Sequence, residues 1–196
     1  MARSRARLAA AGAAVVLTVT GLSGAAAADA ATPSTGSAVI TNDATFLAQA
    51  ALKGILVVPL QPAAPAYDST TGLTTTFPVT GGAANIPQFY GDVNLGGGLL
   101  FVNLANGKSV TFKQLDFHVD TWQINAVPVG GTTPVALLDP AGDNVIGRTG
   151  TTQNLSASSL QVDAAGAQYL DAKLGTSFFT EGQSVGSLAL TFTQGS

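Results

Sequence analysis

The stretch LLFVNLANGKSVTFKQLDFHVD, Leu99 to Asp120, decides the fold. Its first part, Leu99 to Leu104, is a run of apolar β-formers. Asn106-Gly107 follows, and then a second run, Ser109 to Phe112. Asn-Gly between two such runs is a strong hairpin signal, because a tight hairpin turn holds both positions at φ > 0. Further along, the alternation changes phase. Val110 and Phe112 are apolar at even positions, while Leu115, Phe117 and Val119 are apolar at odd ones. Side chains on a strand alternate faces, so the phase slips at Lys113-Gln114. A β-bulge there keeps one continuous buried face and sets Gln114, Asp116, His118 and Asp120 on the other.

Strand-like runs continue on both sides of this hairpin. Upstream lies LTTTFPV, Leu73 to Val79, which ends at Gly81-Gly82. Downstream come WQINAVPV, VALLD and the closing SLALTFT, Ser187 to Thr193. Turn residues recur between them at the spacing of a sandwich or a barrel. Two segments read as helices instead. The first spans about Asp43 to Lys53, with Asn42 or Asp43 as cap, a stripe of Phe46, Leu47, Ala50 and Ala51, and Gly54 as the stop. The second spans about Ala164 to Leu174, capped by Asp163 and ended by Gly175. The expected class is mainly β, an antiparallel sandwich or barrel-like domain with two short helices. Each helix follows a β-like run and precedes an apolar one, ILVVPL or TSFF. A duplicated strand–helix–strand unit and a chance likeness both remain open.

The N-terminus carries Arg3, Arg5 and Arg7, then the uncharged apolar run Leu8 to Leu22, then small residues around Ala28-Asp29-Ala30. This is the layout of a secretory signal peptide over residues 1–30. The apolar run is too short and too rich in Ala for a membrane span. The expected organisation is a signal peptide at 1–30, a flexible leader at 31–37 and one β-rich domain at 38–196, secreted to the extracellular space. The chain has no cysteine, so no disulfide forms. Cleavage after Ala30 leaves ten acidic and five basic residues. That acidic balance argues against nucleic acid, whose phosphates need a basic footprint. A domain of this size buries roughly 70% of its unfolded surface, enough for a core without disulfides.

Chemistry is sparse. His118 is the sole histidine, and Asp116 and Asp120 flank it on the same strand face. Either an aspartate orients the imidazole as a base, or the three residues are the wet face of an antiparallel strand. One histidine with carboxylates along one strand lacks the converging ligands of a zinc site. GQSVG, Gly182 to Gly186, matches G-x-S-x-G at Ser184, but it leads into a strand and the only histidine lies upstream. A Gly-rich turn before the last strand fits better. An ester hydrolase would have to assemble Ser184, His118 and Asp116 or Asp120 from distant segments. LGGGLL, Leu95 to Leu100, precedes a strand and makes no phosphate cradle. DPAGDN, Asp139 to Asn144, reads as a turn rather than a calcium loop. Trp122, Tyr90 and Phe178-Phe179 read as core before they read as pocket.

From Val39 to Thr193 the pattern resembles a group of small secreted actinobacterial proteins. The matching pieces are AVITNDATFLAQAAL, TTFPVTGG, GGLLFVNLANGKSVTFKQLDFHVD and AGAQYLDAKLG. The middle piece also resembles HtaA-type haem-binding domains, in which a G-x-V-x-F hairpin leads to a polar-edged strand. Some proteins of the secreted group carry a cholesterol-esterase label, so the resemblance implies ester hydrolysis or haem binding. HtaA-type domains bind haem through a tyrosine near an N-terminal aromatic segment. The matching stretch here, DATFLAQAAL, has none, and Tyr67, Tyr90 and Tyr169 lie elsewhere. No cofactor and no metal ligand is carried over. The expected function is a secreted, non-catalytic β-domain that binds a cell-wall component, a small apolar ligand or a protein partner. The esterase and the haem binder stand as alternatives.

Overall fold

The computed structural model describes residues 32–196; the proposed signal peptide lies outside them. Ten antiparallel strands and two helices make up the domain. The strands are β1 (Thr35–Asn42), β2 (Ile55–Leu60), β3 (Ala64–Asp68), β4 (Gly72–Asn85), β5 (Tyr90–Asn103), β6 (Lys108–His118), β7 (Gln123–Pro128), β8 (Val135–Thr149), β9 (Thr152–Val162) and β10 (Ser184–Thr193). The helices are α1 (Ala44–Leu52) and α2 (Ala164–Leu174). The sheet runs β2-β5-β6-β7-β8-β9-β10-β1-β4-β3, and β4 also pairs with β5. That extra pairing closes β1 and β4 to β10 into an eight-stranded barrel, with β2 and β3 outside the ring. Closure pairs every strand of the ring on both sides over part of its length and leaves free edges only on β2 and β3. β1 begins at Thr35, where Thr35 pairs with Thr193 and Ser37 with both Thr191 and Pro78. The last three residues of the expected leader, Thr35 to Ser37, are therefore strand, paired to β10 throughout and to β4 from Ser37 on.

The β5–β6 hairpin forms as the sequence implies, with a different turn. Asn103 pairs with Lys108, so four residues make the connection. Gly107 sits at φ 73°, but Asn106 does not share that conformation. Asn106 is used otherwise. Its Oδ1 accepts from the Lys108 amide at 3.0 Å, and its Nδ2 donates to the Leu174 carbonyl at 2.9 Å. Asn103 Nδ2 donates to the same carbonyl at 3.1 Å. The turn thus caps the C-terminus of α2, whose last carbonyls have no partner within the helix. The expected bulge is present. Gln114 adopts φ 52°, and the β6–β7 register shifts between Lys113 and Asp116. Phe112, Leu115, Phe117 and Val119 all stay buried as a result.

Both helices begin and end where their caps dictate. Asp43 Oδ1 accepts from the amides of Thr45 and Phe46 at 2.6 and 3.1 Å, and the Phe46 amide above all holds that carboxyl below its usual range. Asp163 Oδ1 accepts from the Ala165 amide at 2.7 Å, and Gly175 closes α2 at φ 62°. Gly166 lets α2 lie on β8, since a Cβ there would stand 2.8 Å from the Ala136 carbonyl oxygen. TSFF is not a strand. Phe178 and Phe179 instead pack inward on Phe46 and Phe101, with ring centroids 5.7 and 5.9 Å apart. The helix surroundings are therefore not two copies of one strand–helix–strand unit. DPAGDN is likewise not a turn between elements but an irregularity inside β8, between Ala141 and Asn144.

One end of the barrel is plugged. The β4–β5 connection is a 3-10 turn, Ile86–Gln88, with Ile86 fully buried. Gln153, from β9 and only 1% exposed, accepts from the Ile86 amide at 2.6 Å and donates to the Ala84 carbonyl at 2.8 Å. A buried amide side chain that meets both partners costs little, whereas its loss strands both.

Candidate functional site

At the other end the barrel wall forks. β4 and β5 pair only where Val79 to Asn85 meet Leu95 to Tyr90. Beyond that they separate. β2 lies along β5 from Gly98 to Asn103, and β3 lies along β4 from Gly72 to Thr76. β2 and β3 follow each other in the chain, yet they do not pair. The glycines of LGGGLL sit at the branch. A Cβ on Gly97, which has φ 108°, would stand 2.8 Å from the Leu60 carbonyl oxygen, and one on Gly98 2.4 Å from that of Phe112. No side chain fits there, so the run is a backbone crossing point rather than a ligand loop.

Inside the fork and beneath α1 lies an apolar cavity of about 100 Å³. Its wall includes Phe46 and Leu47 of α1, Val57 and Pro59 of β2, Pro65 of β3, Leu73, Thr75 and Phe77 of β4, and Leu99 and Phe101 of β5. Leu137, Leu138 and Val162 face them from β8 and β9. Asn42 and Thr75 are the only polar side chains in the lining, and Asn42 Nδ2 already donates to the Leu73 carbonyl at 3.1 Å. The half-buried Leu47, Val57 and Leu73 and the exposed Pro65 mark the side toward solvent. Sequence reasoning missed this site. The available signal was the spacing of Pro59, Pro62 and Pro65 in ILVVPLQPAAPAYD, which removes ladder donors from two neighbouring strands.

The residues of the hydrolase alternative divide into two places. His118 meets its flanking aspartates: Nε2 lies 2.5 Å from Asp116 Oδ2, and Nδ1 lies 3.8 Å from Asp120 Oδ1. The imidazole is 42% exposed and points away from the core, opposite Phe117 and Val119. Burial pushes the Asp116 carboxyl up, with the His118 interaction opposing this and Asp92 on β5 adding to it. Ser184 starts β10, where the Ser159 hydroxyl donates to its Oγ at 3.3 Å. Three strands separate β6 from β10 whichever way one goes round the ring. At about 4.8 Å per strand that is roughly 19 Å of wall. Val185 lines the cavity, so Ser184 faces outward, as His118 does from the opposite wall. A nucleophile and its base need about 3 Å, which this placement does not give. Ser184 is also a strand residue rather than part of a turn, the turn ending just before it.

The aromatics separate in the same way. Phe178 and Phe179 belong to the core. Trp122 packs between Phe89 and Phe117, with both centroid distances 5.3 Å, over the plugged end, and Tyr90 is exposed beside it. Asp139, on β8, is pushed up to about 6 by burial and by the neighbouring Asp163 carboxylate, with Glu181 contributing. Among the described residues no group of three or more His, Cys, Asp or Glu side chains is placed to hold a metal ion. No helix among them is long and apolar enough to cross a membrane.

No family model matches the chain, and no curated protein is similar to it in sequence. Solved structures are similar in fold. The C-terminal domain of HtaA from Corynebacterium glutamicum aligns over 83% of this chain and 98% of its own, at 15% identity and a TM-score of 0.57. A histidine-to-alanine variant of that domain, a domain-swapped dimer, aligns over 77% and 91%, at 15% identity and a TM-score of 0.50. The haem-binding protein HtaB from the same organism covers 85% and 96%, at 14% identity and a TM-score of 0.44. In fold, this chain is similar to the C-terminal domain of HtaA.

Proposed function

We propose that this protein is a secreted β-barrel domain that binds a small apolar ligand in the cavity beneath α1. The apolar lining of that cavity, with only Asn42 and Thr75 to orient a guest, carries the reading. Apolar cavities of this order stay dry and accept apolar guests, because water inside would find too few partners. The HtaA-like fold favours binding over catalysis. Haem, the ligand that the resemblance implies, does not suit these residues. α1 is the stretch that matches the HtaA tyrosine segment, and neither α1 nor the cavity lining holds a tyrosine, histidine, cysteine or methionine for the iron. Hydrolysis by Ser184 and His118 lacks a shared site, so their alanine variants leave binding unchanged. The test is thermal unfolding with small neutral apolar compounds. A guest at a hundred times its Kd adds about 2.7 kcal/mol, or roughly 5–10 °C for a domain this size. Val162→Phe, which fills the cavity from β9, abolishes the shift. An equal shift in that variant would place the guest elsewhere.

A further inference from the structure

The cavity is long for its volume. It starts between β2 and β3, at Val57 and Pro65, and ends on β8 and β9, at Leu137 and Val162. The β4–β5 fork and the β8–β9 pair lie on opposite sides of the eight-stranded ring. The space therefore crosses the barrel, yet it holds only about 100 Å³. A void of that span and volume is narrow. It suits a single chain of carbons and not fused rings.

The entrance is written in the sequence. β2 and β3 are joined through Gln61 to Ala63, the connection closed by the Ala63 amide donating to the Leu60 carbonyl at 3.0 Å. Two strands so joined ordinarily form a hairpin. Here Pro59 and Pro65 take a ladder donor from each, and each strand pairs outward instead, β2 with β5 and β3 with β4. Their inner edges face one another without a ladder between them. Peptide groups on such edges are open to a polar partner.

We propose that the guest is an unbranched acyl or alkyl chain with a polar end. It enters tail first between β2 and β3 and leaves the polar end against their free peptide edges. This rests on the cavity being the ligand site.

The experiment is calorimetric titration of the purified protein with 1-alkanols of increasing length and with cyclooctanol and a sterol, plus stopped-flow association rates. Affinity is expected to rise about fourfold per added methylene, to level off once the chain fills the cavity, and to fall at least tenfold for the cyclic compounds. Two variants test the entrance. The double variant Pro59→Ala, Pro65→Ala restores donors that let β2 and β3 zip together. Pro65→Trp obstructs the rim from outside and does not depend on that zipping. Each is expected to slow octanol association at least tenfold. Equal affinity for cyclic and linear compounds would overturn the ligand class while leaving the cavity as the site. Unchanged association in both variants would overturn the entrance. Failure of every compound, linear or cyclic, to bind would sink the ligand reading itself and this inference with it.

Discussion

Replacing Gln153 with leucine is expected to cost the barrel about 2–5 kcal/mol. The magnitude follows from the two groups that Gln153 serves. Leucine fills nearly the same volume but has no polar atom. The Ile86 amide and the Ala84 carbonyl then lose their partner, and both residues are buried, at 0% and 3% exposure. Each unpaired buried group costs about 1–3 kcal/mol. For a domain of about 165 residues this lowers Tm by roughly 5–15 °C. Urea unfolding at equilibrium reads the loss directly, with an unchanged slope if the denatured state is unaltered. Gln153→Glu sharpens the test. Its protonated carboxyl can accept from Ile86 and donate to Ala84, as the amide does. Ionised, it buries a charge and has no donor. That variant should approach wild-type stability near pH 4 and lose several kcal/mol by pH 8. A Gln153→Leu protein within about 0.5 kcal/mol of wild type would refute the reasoning, since the plug would then need neither bond.

Other outcomes are equally specific. Asp139 binds its proton more tightly folded than unfolded, so ionisation works against folding. Stability should fall as pH rises from about 4 through about 6, and Asp139→Asn should remove that slope. The full shift would correspond to about 3 kcal/mol, but solvent screening of a half-exposed group reduces it to about 1 kcal/mol; identical pH profiles for the two proteins would contradict the assignment. Gly97→Ala forces a Cβ against the Leu60 carbonyl at a positive φ and should cost roughly 2–4 kcal/mol, read by denaturant midpoint. A loss under about 1 kcal/mol would show that the fork tolerates a side chain. His118→Ala breaks only partly exposed ion pairs and should change stability by less than about 1 kcal/mol.

The parts of the fold legible in the sequence are those set by local rules. Asp43 and Asp163 cap the helices, Gly54 and Gly175 follow their ends, and the phase slip at Lys113-Gln114 marks a real bulge. Each is a backbone need met by one side chain, or by none. Closure into a barrel was not legible, because it depends on β4 pairing with β5 across one register shift. The turn after Asn103 misled for a related reason. Asn106 satisfies the C-terminus of α2, a partner 68 residues away, and a local turn preference yields to that bond. The candidate site was hidden for the same cause. Its lining comes from eight strands, both helices and the segment after α2, and no short window holds more than a few of those residues. The His118 cluster drew the eye because its chemistry is contiguous, and it sits on the outer wall away from Ser184.

Methyl-detected NMR of the protein titrated with octanol tests ligand binding most directly. If the cavity beneath α1 is the site, the methyls of Val57, Leu73, Leu99, Leu137 and Val162 shift together and saturate, while those of Val119 and Leu155, buried elsewhere in the core, stay put. No shift at any concentration, or shifts spread evenly over the barrel, would contradict it.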